Sequence, residues 1–258
     1  MFKNQRHAEI LEILKKEGFA EVKSLGERLF ASQPTIRRDL NALEEQGLIR
    51  RSHGGAIPAD ERINVPVSFR EGVRTQDKKH ICRLAATLIQ PGDLIFTDAS
   101  TTVSHLPDFL KESDDVSVVT NGYPICLKLA QKNLKTFSTG GRLLKKSLAF
   151  VGQKAESAVK DFNADLFFFS ASSLSLDGRI SDYSEEETAL RRVMHRYSHR
   201  TVFLCDAAKI GTVSAYHAFT LAEINDLITN APLGEEFLKT CGLTLTLEQG
   251  GAYLYQKA

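Results

Sequence analysis

The chain has 258 residues, 42% hydrophobic and 25% charged, an ordinary globular composition that excludes collagen-like, mucin-like and mostly disordered chains. Its 33 Lys and Arg against 32 Asp and Glu leave a net charge of +1, too balanced for a protein that coats nucleic acid along its length, so any DNA contact is expected to be local. No apolar run approaches the ~18 residues of a membrane helix, the densest being Leu166-Phe167-Phe168-Phe169, and the charged N-terminus carries no secretory core.

Residues 1–57 read as helices with short links. Asn4 is expected to cap a first helix in which Ile10, Leu11, Ile13 and Leu14 recur at helical spacing, and Gly18 to end it. A short second helix spans 23–30, with Val22, Leu25 and Leu29 apolar. Ser32 caps a third helix that turns Ile36, Leu40 and Leu43 inward and stops at Gly47. Residues 48–57 place two short apolar arms around a basic, glycine-bearing tip, which suits a small β-wing. Residues 58–66 hold two prolines and little hydrophobic pattern, so 58–76 is assigned to a linker.

From residue 77 the pattern changes. Strand-like runs at 94–97, 116–120, 134–138, 164–170, 201–205 and 226–229 alternate with helix-like stretches at 80–89, 102–110, 124–130 and 185–197. This is the signature of an α/β domain over 77–258, a Rossmann-like, mostly parallel sheet with helices on both faces.

The N-terminal pattern is that of a winged helix-turn-helix. On a helical wheel of ~100° per residue, Ile36, Leu40 and Leu43 define the buried face of the third helix. Pro34, Arg38, Asn41 and Glu45 then lie opposite, with Arg37 and Thr35 on the flanks. Arg38 and Asn41 are residue types that read guanine and adenine edges. Thr35, Arg37, Arg50 and Arg51 are placed to hold phosphates. A solvated helix face would also carry an Arg-Arg pair; here the pair follows a capped turn and precedes a basic wing, which favours DNA. The candidate DNA-contacting set is Ser32, Thr35, Arg37, Arg38, Asn41, Arg50, Arg51 and His53. Residues 1–58 hold ten Lys/Arg and eight Asp/Glu, so one copy offers little phosphate neutralisation and a homo-oligomer, dimer or tetramer, is expected.

Residues 32–56, containing Thr35-Ile36-Arg37-Arg38-Asp39-Leu40 and Arg51-Ser52-His53-Gly54-Gly55-Ala56, closely resemble the helix-turn-helix signature of the DeoR family of bacterial transcriptional regulators. The resemblance extends through the rest of the chain. It implies a regulator, commonly a repressor, of sugar or polyol metabolism, with a C-terminal domain similar to sugar-phosphate isomerases.

Ligands of open α/β sheets bind beyond the C-terminal strand edge. There, Ser100-Thr101-Thr102 opens a helix-like stretch and offers hydroxyls and amides to a phosphate, although the same turn suits a plain cap. Thr120-Asn121-Gly122 and Thr139-Gly140-Gly141-Arg142 end the next two strands. The glycines admit backbone amides near an anion, and Arg142 adds charge. In 205–209, Lys209 can grip a phosphate or sugar oxygen and Asp206 can accept sugar hydroxyls, although a surface ion pair has the same look. These patterns are similar in order to the family's D-x-[GS]-[ST]-T, T-N-G, G-G and D-x-x-K elements, and Glu187 matches its acidic residue at a helix start. By that resemblance Asp98, Ser100, Thr101, Thr102, Asn121, Gly140, Gly141, Glu187, Asp206 and Lys209 line a pocket for a phosphorylated sugar. One departure stands out: Ser170 and Ser173 replace glycines of the family's F-x-G-A-x-G run, and Ala99 stands where glycine is frequent.

His195 and His199, four apart on an expected helix, have a metal-binding spacing. No third ligand is placed, and Arg191, Arg192, Arg196 and Arg200 around them read as a solvated basic face. Cys82, Cys126, Cys205 and Cys241 form no C-x-x-C pair and read as reduced thiols of a cytoplasmic protein. No Walker loop, nucleophile elbow or zinc motif is present in the sequence, so no cofactor or metal is expected. The alternative to a DNA-binding regulator is a sugar-phosphate isomerase-type enzyme using Asp98, Asp206 and Lys209 with Glu187 as base. It leaves the winged helix without a purpose. The expected partners are operator DNA and a phosphorylated sugar.

Overall fold

The computed structural model describes residues 2–52, 54–59 and 67–257, so expectations for His53 and for the linker over 60–66 lie outside the described residues. The chain forms two compact units that divide between Arg74 and Thr75.

In the first unit, helix α1 (Lys3–Glu17) buries His7, Ala8, Ile10 and Leu14. Gly18 ends it at φ 74°, its N–H reaching the Leu14 carbonyl. Asn4 does not cap it: the helix begins one residue before Asn4, and Phe2 occupies the cap position without a side-chain hydrogen bond. A two-residue strand β1 (Ala20–Glu21) leads into α2 (Val22–Arg28), which stops short of Phe30. Phe30 instead forms the turn at φ 50°, with its side chain 97% exposed. Ser32 caps α3 (Gln33–Glu45), its Oγ accepting from Thr35 N–H at 3.4 Å, and Ile36, Leu40 and Leu43 are fully buried.

Strands β2 (Ile49–Ser52) and β3 (Gly55–Pro58) form the wing, and β1 pairs with β3 as a third strand. That pairing requires glycine at 55, where a Cβ would lie 2.2 Å from the Ala20 carbonyl oxygen. A short helix α4 (Val67–Arg70) packs on α1, and Val73 joins the same core. Residues 67–74, read from the sequence as linker, are thus part of the first compact unit.

The second unit begins with α5 (Thr75–Ala86), followed by β4 (Leu94–Thr97), β5 (Ser117–Thr120), α6 (Tyr123–Ala130) and β6 (Lys135–Ser138). A hairpin of β7 (Arg142–Leu144) and β8 (Ala149–Val151) precedes α7 (Gln153–Val159) and β9 (Ala164–Phe169). Then come β10 (Ser173–Leu174), β11 (Arg179–Asp182), α8 (Glu185–Arg196), β12 (Ser198–Cys205), β13 (Tyr216–Thr220) and β14 (Asp226–Thr229). Helix α9 (Glu235–Cys241) and strands β15 (Leu243–Gln249) and β16 (Ala252–Lys257) complete the unit.

Eight strands make one sheet in the order β15-β16-β14-β12-β9-β4-β5-β6. It is parallel from β14 to β6, and at one side β16 pairs antiparallel with both β14 and β15. Alternation along the strands sorts side chains to two cores. Phe96, Phe167, Phe169 and Phe203 meet Leu190 and Met194 of α8 on one face. Ile95, Leu166, Phe168, Val202 and Leu204 meet Ile81 and Leu84 of α5 and Ile125 and Leu129 of α6 on the other. Strands β10, β11 and β13 form a separate three-stranded antiparallel sheet.

Two local expectations differ from the structure. The stretch at 102–110 is a 3-10 segment, Val103–Phe109, that contains Pro107, a residue with no N–H for a regular ladder. His195 and His199 do not share a helix: His195 lies in the last turn of α8, its Nδ1 2.9 Å from Thr201 Oγ1, whereas His199 is exposed on β12. Among the described residues no cluster of His, Cys, Asp or Glu fits a metal ion, and no helix is long and apolar enough to cross a membrane. All four cysteines are free thiols, and burial pushes Cys205 up to about 12.

Candidate DNA interface and effector site

Helix α3 presents Arg37, Arg38 and Asn41 to solvent, opposite its buried stripe, and Arg50 is exposed on the wing. Thr35 is half-buried, its hydroxyl 2.8 Å from that of Ser32. Arg51 does not stand apart as a phosphate contact in the free protein. Its Nη1 donates to Asn41 Oδ1 at 3.0 Å, and its N–H donates to Glu44 Oε1 at 2.8 Å, which stitches the wing to α3.

The inner side of α3 is anchored by charge. Asp39, 2% exposed, accepts from His7 Nε2 at 2.9 Å and from Arg6 Nη2 at 3.1 Å, both on α1. Burial pushes the Asp39 carboxyl up, but its bonds with Arg6 and His7 outweigh this and hold it below the usual range. For His7 burial wins over the attraction of Asp39 and keeps the imidazole pKa below its usual value.

In the second unit, parallel registers bring the C-terminal ends of β12, β9, β4, β5 and β6 side by side: Phe203 pairs Phe169, Thr97 pairs both Phe168 and Thr120, and Thr120 pairs Ser138. The segments carrying Asp98–Thr102, Asn121, Gly140–Gly141, Ser170 and Asp206–Lys209 therefore share one sheet edge. Asp98, 1% exposed, does not face open space. Its Oδ1 accepts from Ser100 N–H at 3.1 Å, and its Oδ2 accepts from Arg191 Nε at 2.7 Å and Ser170 N–H at 3.4 Å. Arg191 also donates to Asp182 Oδ2 at 2.8 Å and lies 3.7 Å from Glu187.

Beside this cage the turn is cationic. Lys209 Nζ donates to Ser170 Oγ at 2.8 Å and approaches Thr102 Oγ1 at 3.5 Å. Lys78 Nζ donates to Thr101 Oγ1 at 3.2 Å. Ser100 Oγ accepts from Val103 N–H at 3.3 Å, and Asp206 caps the next short turn through Ala208 N–H at 2.9 Å. Asn121, 3% exposed, donates to the Phe150 carbonyl at 3.0 Å, and its buried Oδ1 has no partner among the described residues. That orphaned acceptor suits a ligand hydroxyl.

The two glycines behave differently. Gly141, at φ 102°, packs where a Cβ would lie 2.7 Å from the Val151 carbonyl, so the hairpin needs it. Gly140, at φ 60°, has open space around it. Arg142 is paired with Glu186 of α8.

Residues 6–62 match the DeoR-like helix-turn-helix domain, and residues 73–231 match the DeoR C terminal sensor domain. The chain belongs to the DeoR family. YulB of Bacillus subtilis strain 168, described as an HTH-type transcriptional regulator, is 32% identical over 91% of this chain and 92% of that protein. The glycerol-3-phosphate regulon repressor of Escherichia coli K12 is 28% identical over 90% of this chain and 92% of its own length. Among solved structures, ribose 5 phosphate isomerase A from Neisseria gonorrhoeae covers 53% of each chain at 12% identity and a TM-score of 0.39. These sequence relatives are regulators, and this DeoR-family chain is a DNA-binding regulator rather than an enzyme. The site agrees, because Asp98 and Glu187, which the isomerase-type alternative needs as acting carboxylates, are both engaged by Arg191.

Sequence reasoning missed three residues of this DeoR-family sensor unit. Arg191 was expected on a solvated basic face and is instead 4% exposed at the centre of three carboxylates. Its first partner, Asp98, lies 93 residues away, beyond any local pattern. Asp182, on β11, carried no motif. Lys78 precedes the helix expected at 80–89, although α5 already includes it. The departures from the family's glycines also acquire roles. Ser170 donates to the Leu204 carbonyl at 2.6 Å while accepting from Lys209, and Ser173 Oγ lies 2.7 Å from Ser214 Oγ.

Proposed function

We propose that this DeoR-family protein is a ligand-controlled repressor of a sugar or polyol operon. The first unit reads paired operator half-sites through Arg38 and Asn41, with Ser32, Thr35, Arg37, Arg50, Arg51 and His53 at the backbone. The second unit binds a phosphorylated sugar or polyol that changes DNA affinity. As a homo-oligomer it would supply two reading heads, which the small charge excess of one head calls for. A DNA-reading protein of this kind acts in the cytoplasm.

The observation that carries the effector assignment is the arrangement at one sheet edge of Lys209 on Ser170 and Thr102, with the orphaned Asn121 acceptor on the neighbouring strand end. The first supplies charge for a phosphate and the second an acceptor for a hydroxyl. The name of the glycerol-3-phosphate regulon repressor, a full-length relative, supports a phosphorylated ligand.

A thermal-shift panel of sugars and their phosphates tests the reading, because a ligand of the native state raises apparent stability. A phosphorylated compound should stabilise the protein and its parent sugar should not. Calorimetry with and without operator should show reciprocal coupling, each ligand changing the other's affinity by the same factor. Equal affinity for a sugar and its phosphate refutes the assigned site.

A further inference from the structure

We propose that Ser147 is a ligand of the effector, so that the second unit reads a hydroxyl group with Ser147 and Asn121 in addition to binding the phosphate. The inference rests on the phosphorylated-ligand reading and adds to it a residue and a chemical requirement, a hydroxyl-bearing carbon skeleton. Ser147 belongs to the turn of the β7–β8 hairpin, which leaves Lys145 and Lys146 exposed but holds Ser147 at 1% exposure. The Ser147 Oγ has no hydrogen-bond partner among the described residues. The next residue, Leu148, sits at φ 53°, a left-handed backbone that suits glycine rather than leucine. The hairpin thus keeps an unmet buried hydroxyl and a strained turn at neighbouring positions, two costs that a purely structural turn would shed.

The hairpin is fastened to the strand end that carries Asn121. Phe150 N–H donates to the Asn121 carbonyl at 2.7 Å, Asn121 Nδ2 donates to the Phe150 carbonyl at 3.0 Å, and Tyr123 N–H donates to the Leu148 carbonyl at 3.0 Å. Ala149 bridges Gly122 and, with Val151, packs on Ala99 of the Asp98–Thr102 turn. A Cβ on Gly122 would lie 3.1 Å from the Ala99 Cα, so strand end and turn are close-packed. The Asn121 Oδ1 and the Ser147 hydroxyl are therefore orphaned on adjoining segments beside the turn assigned to the phosphate. A carboxamide oxygen only accepts, whereas a serine hydroxyl donates and accepts. One ligand hydroxyl meets both, donating to Asn121 and accepting from Ser147. A phosphate dianion has no proton for Asn121. The pair thus selects a hydroxylated phosphate ester over bare phosphate.

The test measures ligand-free melting and calorimetric binding of the full chain, wild type and Ser147→Ala, with inorganic phosphate, ribose 5-phosphate and glycerol 3-phosphate as probes. Removing an unmet buried hydroxyl loses no hydrogen bond, so the ligand-free melting temperature of Ser147→Ala should equal or exceed that of the wild type. The ester that binds the wild type more tightly should bind the variant about five- to tenfold more weakly, with inorganic phosphate within about twofold of its wild-type affinity. If Ser147→Ala does not fold by circular dichroism, Ser147→Gly, equally without a hydroxyl, gives the binding readout. A lower ligand-free melting temperature shows that water or protein already meets the hydroxyl, and it overturns the assignment. Wild-type affinity of the variant for both esters overturns it too, as does an equal loss for phosphate and esters, or esters that bind the wild type no tighter than phosphate. Each of these results leaves the phosphorylated-ligand reading standing. A wild-type protein that binds neither phosphate nor any phosphorylated sugar overturns both.

Discussion

Replacing Arg191 by methionine removes one cation from among three carboxylates whose side chains are 2% (Asp98), 10% (Asp182) and 9% (Glu187) exposed. Methionine keeps much of the volume, so the loss is electrostatic rather than a cavity. Removing one partner of a buried ion pair costs about 3–5 kcal/mol, because the remaining charge stays desolvated and unmet. For a unit of this size each kcal/mol is worth roughly 2–4 °C, so the melting transition should fall by roughly 6–20 °C. The adjacent Arg192→Met is the control. Arg192 is exposed and donates to the Ala218 carbonyl at 3.3 Å, so its loss should cost under about 1 kcal/mol. Equal melting shifts for the two variants would refute the argument.

Arg38→Ala should lose about 1–3 kcal/mol of discrimination between operator and unrelated DNA in competition binding, and uniform weakening on all sequences would mean that α3 is docked in another orientation. Ser170→Ala removes the buried hydroxyl that donates to the Leu204 carbonyl and accepts from Lys209, so stability should drop by about 1–3 kcal/mol and effector affinity by about tenfold in calorimetry. Gly141→Ala meets a left-handed backbone and the Val151 carbonyl together, and denaturant unfolding should show it to be more damaging than Gly140→Ala, where space is open. The lowered pKa of His7 means that the native first unit prefers the neutral imidazole. Its contribution is therefore fully present above the unfolded value near 6.5 and is lost as pH falls through the lower native value, which denaturant unfolding from pH 8 to 5 should reveal and His7→Gln should flatten.

The sheet was legible wherever a strand is buried on both faces. Residues 94–97 are a nearly continuous apolar run and 226–229 carry Leu227 and Ile228 at their centre, and both expected strands match the structure end to end. Local chemistry was equally readable at Ser32, which caps α3, and at Gly18, which adopts the left-handed conformation that ends α1. What escaped depends on distance along the chain. Arg191 and Arg192 look alike in sequence, and only the return of Asp98 beneath α8 makes one a buried centre and leaves the other exposed. Strand β15 was hidden because Leu243–Gln249 is mostly exposed, so alternation there marks no core face. The segment after Thr102 looks helix-like between two strands, yet Pro107, which lacks an N–H, sits inside it and the backbone winds as a 3-10 segment.

The Asp98–Arg191 contact also bears on the order in which the two units become available during synthesis. At about 5–20 residues per second, roughly 5–20 s separate the emergence of these two side chains, and β9 must in addition wait for β12 before both of its edges are paired. The helix-turn-helix unit has no such wait, since its core draws only on residues before Thr75. A nascent or prematurely ended chain therefore holds a finished reader before it holds any sensor.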